Sequence, residues 1–514
     1  MGTGRPVLRY MKSLMKRMKS ILAGRKAAMA CFIAVCIYTG GDLWQNLIWP
    51  PFFSLDETLE IDYVYQLTRG KLPTFFGGAE FNPLHLHYAF DVQYRYQHPP
   101  LFYLSETPIF LLFDTIHHPI RGIWAMRALV YVFGVVSILV SYWAARWIIG
   151  RNNIATYLVP IIFASNRCLP SVVLNYTLAS LWVTMLIGGT CYFIRKGFTD
   201  QRKTTYAIWT LVVLLAPLTR LSTVPILLLC LVVLAITATF AKKTPRSRAG
   251  TIGHVCVMPL LAAILSSSWF YIRLYRLSGH LTGSQPAWQL EHLHRSIDKN
   301  IHQTLLSPTF YIHSFSQYQN MQTVTDGRFG TAFVILLTFL PLLAGMIALV
   351  QRCFLRIREY RRQPAPRDIA KLHDLIIAIL LFCALGGTTI QQLLFYRQGG
   401  SYNAVYFSLI NIVFASIIAT GLRWTGRAWK ASASLWLALR LAALLYEAKR
   451  NWTTSGWIAL ANAGTRMHIA LVLSLVIVAI GTLAGVVYVH MSSNRRSTLP
   501  PSGENSSECA EVAQ

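Results

Sequence analysis

Residues 52–63 read FFSLDETLEIDY and place four carboxylates, Asp56, Glu57, Glu60 and Asp62, within twelve residues. The whole chain has 20 acidic residues against 47 basic ones, a net charge of +27. This acidic stretch follows directly on an apolar run at 27–48. A bilayer core about 30 Å thick takes roughly 20 apolar residues of helix. The run has that length, and the acids mark where the chain returns to water.

The same pattern repeats along the chain. Of 514 residues 54% are hydrophobic and 13% are charged, whereas soluble domains carry about 25% charged residues. That composition speaks against a string of soluble domains. Apolar stretches recur near 123–145, 153–165, 171–194, 205–219, 221–241, 252–273, 330–350, 373–394, 402–422 and 467–490. A candidate at 432–446 is short and contains Arg440, and 153–165 and 205–219 are also short. The expected fold is an all-α polytopic membrane protein of about 11–12 transmembrane helices, since lipid offers backbone groups no partner outside a helix or a closed barrel.

The basic residues orient these spans. Arg5, Arg9, Lys12, Lys16, Arg17, Lys19, Arg25 and Lys26 precede the first span, so residues 1–26 read as a basic cytoplasmic tail. Arg195–Lys196, the cluster at 242–248 and the cluster at 352–367 fall on the same side if each span crosses once. Charge in short loops beside spans is an orientation signal, and it outweighs a nucleic-acid reading. A transmembrane catalytic region at 27–422 then carries two large outer loops, 49–121 and 274–329. An amphipathic and transmembrane region follows at 423–490, and a polar tail at 491–514 reads as disordered. The apolar piece 100–113 is too short to span and reads as an interfacial helix. The nine cysteines are dispersed and show neither metal nor disulfide spacing.

Outer-side placement explains part of the acid cluster. It leaves an Asp-Glu pair at the membrane interface with no Lys or Arg within ten residues in sequence. Such a costly group is a functional candidate. A carboxylate at this depth can take a proton from an acceptor hydroxyl. Cations at neighbouring helix ends can meet a departing lipid phosphate. Arg220 in APLTRLSTVP, Arg273 and Arg276 in WFYIRLYR, and Arg397 in LLFYRQGGSYN all fall on the outer side of this topology, against the positive-inside trend.

These residues carry a resemblance. SLDETLEIDYVYQLTRGKLP followed by QHPPLFYL resembles the polyprenol-phosphate-sugar-dependent glycosyltransferases of the GT-C type, of the protein mannosyltransferase and aminoarabinose transferase superfamily. Asp56–Glu57 and His98–Pro99–Pro100–Leu101 match its early Asp-Glu pair and its HPPL-like motif. Leu218–Thr219–Arg220 and Trp269–Arg273 resemble two further motifs. The likeness covers about 50–420 by the order of motifs and spans. Departures are Asn175–Tyr176 where an Asn-Asp is common, Leu274 after Arg273, and Gly400–Ser401–Tyr402 without the expected arginine.

The resemblance implies a GT-C-like bundle that transfers a sugar from a polyprenyl-phosphate donor to an acceptor hydroxyl at the outer face of the plasma membrane. Asp56 would be the base, and Glu57 would orient the acceptor or hold the loop. Direct displacement would invert the anomeric centre. His98, Arg220, Arg273, Arg397 and Tyr402 would bind the substrate and its lipid phosphate. The acceptor is a glycan, a glycolipid or a protein hydroxyl. No metal is assigned. His85 and His87 in PLHLHY would share one face of a strand and could join Asp91, His98 or Glu57 around an ion, but local hydrogen bonding is the plainer reading. A multi-pass transporter or flippase is the alternative. It would call for inverted repeats and broken or charged spans, and neither is evident in the sequence.

Overall fold

The computed structural model describes residues 4–492 except 53–54, 86–90, 152, 170–171, 199–201, 242–243, 295–298, 320–326, 363–371 and 454–463. Every regular element among the described residues is helical. Ten helices are long and apolar enough to cross a membrane. They include α1 (Gly4–Ile48, apolar from Gly24) and, after α2 (Leu55–Thr68) and α3 (Leu101–Leu112), α4 (Pro119–Ile148). Next come α5 (Ala155–Ala164), α6 (Tyr176–Lys196), α7 (Lys203–Thr219), α8 (Thr223–Ala241) and α9 (Pro245–Ser278). The short helices α10 (Pro286–Leu293), α11 (Ile301–Leu305) and α12 (Pro308–Ser314) follow. The chain then runs through α13 (Arg328–Arg361), α14 (His373–Arg397), α15 (Ala404–Trp424), α16 (Gly426–Asn451) and α17 (Thr465–Met491). The protein is a multi-pass helical membrane bundle.

Two further passes are too short to count by length alone. At 17 residues, α7 nevertheless runs the whole length of α6. It begins a short link after the end of α6, and Arg220 at its far end bonds Asn175, which precedes α6. The ten residues of α5 are all buried between α1, α4 and α15. Beyond Ala164, residues 165–169 and 172–175 are non-helical. Non-helical backbone at this depth is tolerated where protein supplies its partners. Arg440 donates to the Ser165 carbonyl at 3.0 Å, and Arg167 to the Gly41 carbonyl at 2.9 Å.

The stretch around Arg440, undecided between a surface helix and a poor span, folds as the 26-residue α16. Its charges have partners inside the bundle: Glu447 accepts from Arg167 at 2.9 Å and from the Trp44 indole at 3.1 Å. The last helix, α17, packs antiparallel on α1, and the Tyr488 hydroxyl donates to the Lys26 carbonyl at 3.1 Å. Lys26 of α1 and Tyr488 of α17 therefore lie together at one end of the bundle. That end also carries Arg195, Arg356 and their shared partner Asp374.

Elsewhere glycine permits close packing. A Cβ on Gly345 of α13 would lie 2.0 Å from the Ile417 carbonyl, and one on Gly421 of α15 would lie 2.1 Å from the Pro341 carbonyl. These helices touch backbone to backbone, as small residues allow in membranes.

The opposite end of the bundle carries the longer loops, with α2, α3 and α10 to α12. The helix expected near 100–113 is α3, with Pro100 immediately before its first turn. Of PLHLHY, only residues 83–85 are described, and they form no strand: His85 lies in a turn with φ of 49°, and His87 lies outside the described residues.

Candidate active site

Helical spacing sorts the four acids of 52–63. On α2, Asp56 and Glu60 are one turn apart and share a face, while Glu57 and Asp62 point elsewhere. The fold gives each of them a partner that the local sequence does not show.

Glu57 is fully buried and forms a two-pronged pair with Arg127 of α4, Nε to Oε1 at 2.8 Å and Nη2 to Oε2 at 2.7 Å. The same Arg127 donates to the Trp49 and Pro50 carbonyls, and the Val173 amide donates to Glu57. Glu57 thus clamps the exit of α1, the start of α2 and the approach to α6. Asp62 accepts from the Glu80 and Phe81 amides at 2.7 and 2.9 Å and from the Gln66 and Gln93 side chains. Burial pushes its carboxyl up to about 6, against the pull of those donors.

The other face meets Arg95. Gln93 caps the short 3₁₀ turn Tyr94–Gln97 by accepting from the Arg95 amide at 2.9 Å, and it ties the turn to α2 through the Leu59 carbonyl. The buried Arg95 side chain reaches Asp56 in a direct ion pair, and its Nε lies 3.6 Å from Glu60. No Lys or Arg lies near Asp56 in sequence, and its cationic partner, Arg95, comes from 39 residues further along. Asp56 nonetheless keeps 66% of its side chain exposed, whereas Glu60 has none exposed.

His98 follows the same turn and is buried. Its Nε2 lies 3.4 Å from an Arg95 nitrogen and 3.5 Å from Arg220 Nη1. Burial, then Arg220 and Arg95, hold its imidazole well below the usual range. That favours the neutral ring, whose Nε2 accepts from a guanidinium in the tautomer protonated at Nδ1. Its carbonyl accepts from Tyr63 at 3.1 Å, and the Tyr63 ring stacks on Tyr103 with centroids 3.8 Å apart.

Arg220 sits in the β region directly after α7. It donates to Asn175 Oδ1 and, at 2.6 Å, to the Tyr176 hydroxyl, and it lies 3.7 Å over the Tyr176 ring. Among the described residues no carboxylate lies within ion-pair distance of it. Asn175 also approaches the Tyr103 hydroxyl at 3.4 Å. The result is a compact group at the loop-bearing end: one exposed carboxylate, two guanidinium groups, a neutral imidazole, an amide and phenols.

The remaining candidates fall around this group. Arg273 of α9 donates to the Leu72 and Pro73 carbonyls at 3.1 and 2.8 Å, and its Nη1 is buried without a hydrogen bond. It therefore holds the loop that α2 feeds. Arg397 is exposed at the end of α14. Tyr402 packs on Tyr396 at 4.8 Å and on Phe310 at 5.8 Å. An aromatic chain of Phe395, Tyr406 and Tyr176 joins that region to Arg220, with centroids 5.3 and 6.1 Å apart. Asp56, His98 and Arg220 thus converge, while Arg397 and Tyr402 stand one aromatic layer away. Arg95 and the active use of Asn175–Tyr176 were not evident from the sequence, and Glu60 stood out only as one of the four acids of 52–63. The available signal was Arg95 itself, a cation in an acidic outer loop three residues before His98. No group of three or more His, Cys, Asp or Glu among the described residues could hold a metal ion.

No family model matches the chain, and no curated protein matches it. Several solved structures are similar to it. ArnT from Cupriavidus metallidurans, bound to undecaprenyl phosphate, is 13% identical with a TM-score of 0.44, over 90% of this chain and 76% of that one. The Archaeoglobus fulgidus oligosaccharyltransferase in its apo form is 11% identical with a TM-score of 0.39, over 91% of this chain and 56% of that one. The Archaeoglobus fulgidus oligosaccharyltransferase AglB, in complex with an inhibitory peptide and a dolichol-phosphate, is 12% identical with a TM-score of 0.40. This chain spans a little over half the length of these oligosaccharyltransferases, 56% in each case.

Proposed function

We propose that the protein is a membrane glycosyltransferase that moves a sugar from a polyprenyl-phosphate carrier to an acceptor hydroxyl at the outer face of the plasma membrane. The loop-bearing end of the bundle is that outer face, and the end that holds Lys26 and Tyr488 is the cytoplasmic one. The observation that carries the reading is one site holding an exposed carboxylate, Asp56, and a buried arginine, Arg220, with no carboxylate among the described residues within ion-pair distance of that arginine. The first suits proton removal, and the second suits an incoming anion.

The reaction balances with these groups. Asp56 accepts the proton of the acceptor hydroxyl as its oxygen bonds to the anomeric carbon. The bond from that carbon to the phosphate oxygen breaks on the opposite face, so the anomeric centre inverts. Polyprenyl phosphate leaves with one more negative charge than it had as the diester. Arg220, held rigid by Asn175 and Tyr176, meets that charge, and among the described residues no carboxylate lies within ion-pair distance to cancel its field. Arg273 secures the 72–73 loop beside the site. Arg397 and Tyr402 guide the carrier phosphate or the sugar from across the aromatic layer. Glu57 holds the loop through Arg127.

Binding of polyprenyl phosphate to purified protein in nanodiscs tests the anion assignment. Arg220→Gln is expected to weaken it at least about tenfold, the loss of one charge-assisted contact. Asp56→Asn is expected to bind at least as well as wild type, since it removes a negative charge. Unchanged affinity in Arg220→Gln contradicts the assignment.

A further inference from the structure

Glu60 takes no part in the reaction just described, yet it shares Arg95 with the proposed base. The two acids stand one turn apart on α2, Asp56 exposed and Glu60 sealed. Arg95 lies between them, in its ion pair with Asp56 and 3.6 Å by Nε from Glu60. Neither Glu60 oxygen nor Arg95 Nε has a well-formed hydrogen bond. One cation therefore serves two carboxylates, and only one of the two has a firm hold on it.

We propose that Glu60 is a positioning residue whose charge competes with Asp56 for Arg95 and so sets the strength of Asp56 as a base. This rests on the glycosyltransferase reading. With Glu60 neutral, the whole of Arg95's charge stabilises the Asp56 carboxylate and makes it a weaker base. With Glu60 ionised, Arg95 is shared and a second negative charge faces Asp56, so Asp56 binds a proton more tightly. The acceptor's proton still goes to Asp56, and Glu60 only tunes that step.

The neighbours leave Glu60 as the titrating member of the group. Burial pushes its carboxyl up to about 7, against the opposing pull of Arg95, Tyr103 and Arg220, with Asp56 adding to the rise. His98 on the same turn is held neutral. The Tyr103 phenol on α3 and the Tyr63 phenol on α2 are pushed up by burial. Burial opposes the charge of Arg95, but Asp56 and Glu60 outweigh it and keep the guanidinium protonated. From α6 and α7 the site is faced by Tyr176 and Arg220, and Arg273 of α9 faces it through Tyr63. Asp62, the other raised acid on α2, is turned to the 80–81 backbone instead.

Two readouts test this, one of them independent of turnover. Transfer from a polyprenyl-phosphate sugar is followed against pH in wild type, Glu60→Gln and Glu60→Asp. The wild-type rate is expected to rise at least about threefold as pH passes through 7, the effect of half a unit or more in base strength. Glu60→Gln is expected to lose that rise and stay at the low-pH level with unchanged affinity for the lipid, while Glu60→Asp restores a rise. In an infrared titration, wild type minus Glu60→Gln is expected to leave a protonated-carboxyl band that is lost across the same pH range, on top of the band that Asp62 gives in both proteins. A rise that persists in Glu60→Gln, or bands that are the same in Glu60→Gln and wild type, overturns the proposal while leaving transfer by Asp56 intact. The band without transfer in any protein overturns the glycosyltransferase reading, and the role of Glu60 with it.

Discussion

At the residue scale, Glu57 and Asp56 are neighbours in sequence with opposite fates. Glu57→Ala leaves Arg127, which is 1% exposed, as an uncompensated buried charge. Removing one partner of such a pair costs about 3–5 kcal/mol. The variant is expected to lower the thermal unfolding midpoint in detergent and the yield of folded protein, and Asp56→Asn is expected to do neither. Equal stability of Glu57→Ala and wild type contradicts the clamp. The sequence singled out the Asp-Glu pair, and only the resemblance divided its labour, because the partners of the two acids are not visible locally. That division depends on Arg95 and Arg127, which reach α2 from another loop and another helix. Asn175 and Tyr176 looked like a departure from a motif. In the folded chain they orient Arg220 through hydrogen bonds and a stacked ring.

At the element scale, the long apolar helices were legible because their length and composition match a bilayer. The ambiguous elements were those whose polar groups find partners at a distance. In α16, Arg440 and Glu447 argue against a span until Ser165 and Arg167 are placed beside them. The short α5 reads as an incomplete span because the described residues after it, 165–169 and 172–175, are non-helical, with Arg440 of α16 serving the Ser165 carbonyl and Arg167 reaching back to α1. Close contacts between helices were not legible either, since a glycine in an apolar run carries no mark of its neighbour. The contact of α13 with α15 makes a sharp test. Gly421→Val would press a side chain into the Pro341 carbonyl. Overpacking of this kind costs about 1–3 kcal/mol. The variant is expected to aggregate or elute broadly in size-exclusion chromatography, whereas valine at Gly386, which has open space around it, is expected to behave as wild type.

At the scale of the whole molecule, charge is sorted between two ends. Arg195, Arg356 and Lys26 gather at one, while the acids of 52–63 and their partners Arg95 and Arg127 gather at the other. The loops at the second end are fastened to the bundle by Glu57, Asp62, Arg273 and the Tyr96 hydroxyl, which donates to the Gly283 carbonyl at 2.5 Å. Fastening on every side lets Asp56, the exposed acid of α2, keep a fixed relation to Arg220, as the proposed transfer requires. The direct test is single-turnover transfer of a labelled sugar from polyprenyl phosphate to acceptor by purified protein in lipid, with wild type beside Asp56→Asn. The account expects transfer by wild type and a loss of about 10²–10⁴-fold in Asp56→Asn, the usual weight of a general base, with lipid binding retained. Full transfer by Asp56→Asn would contradict it.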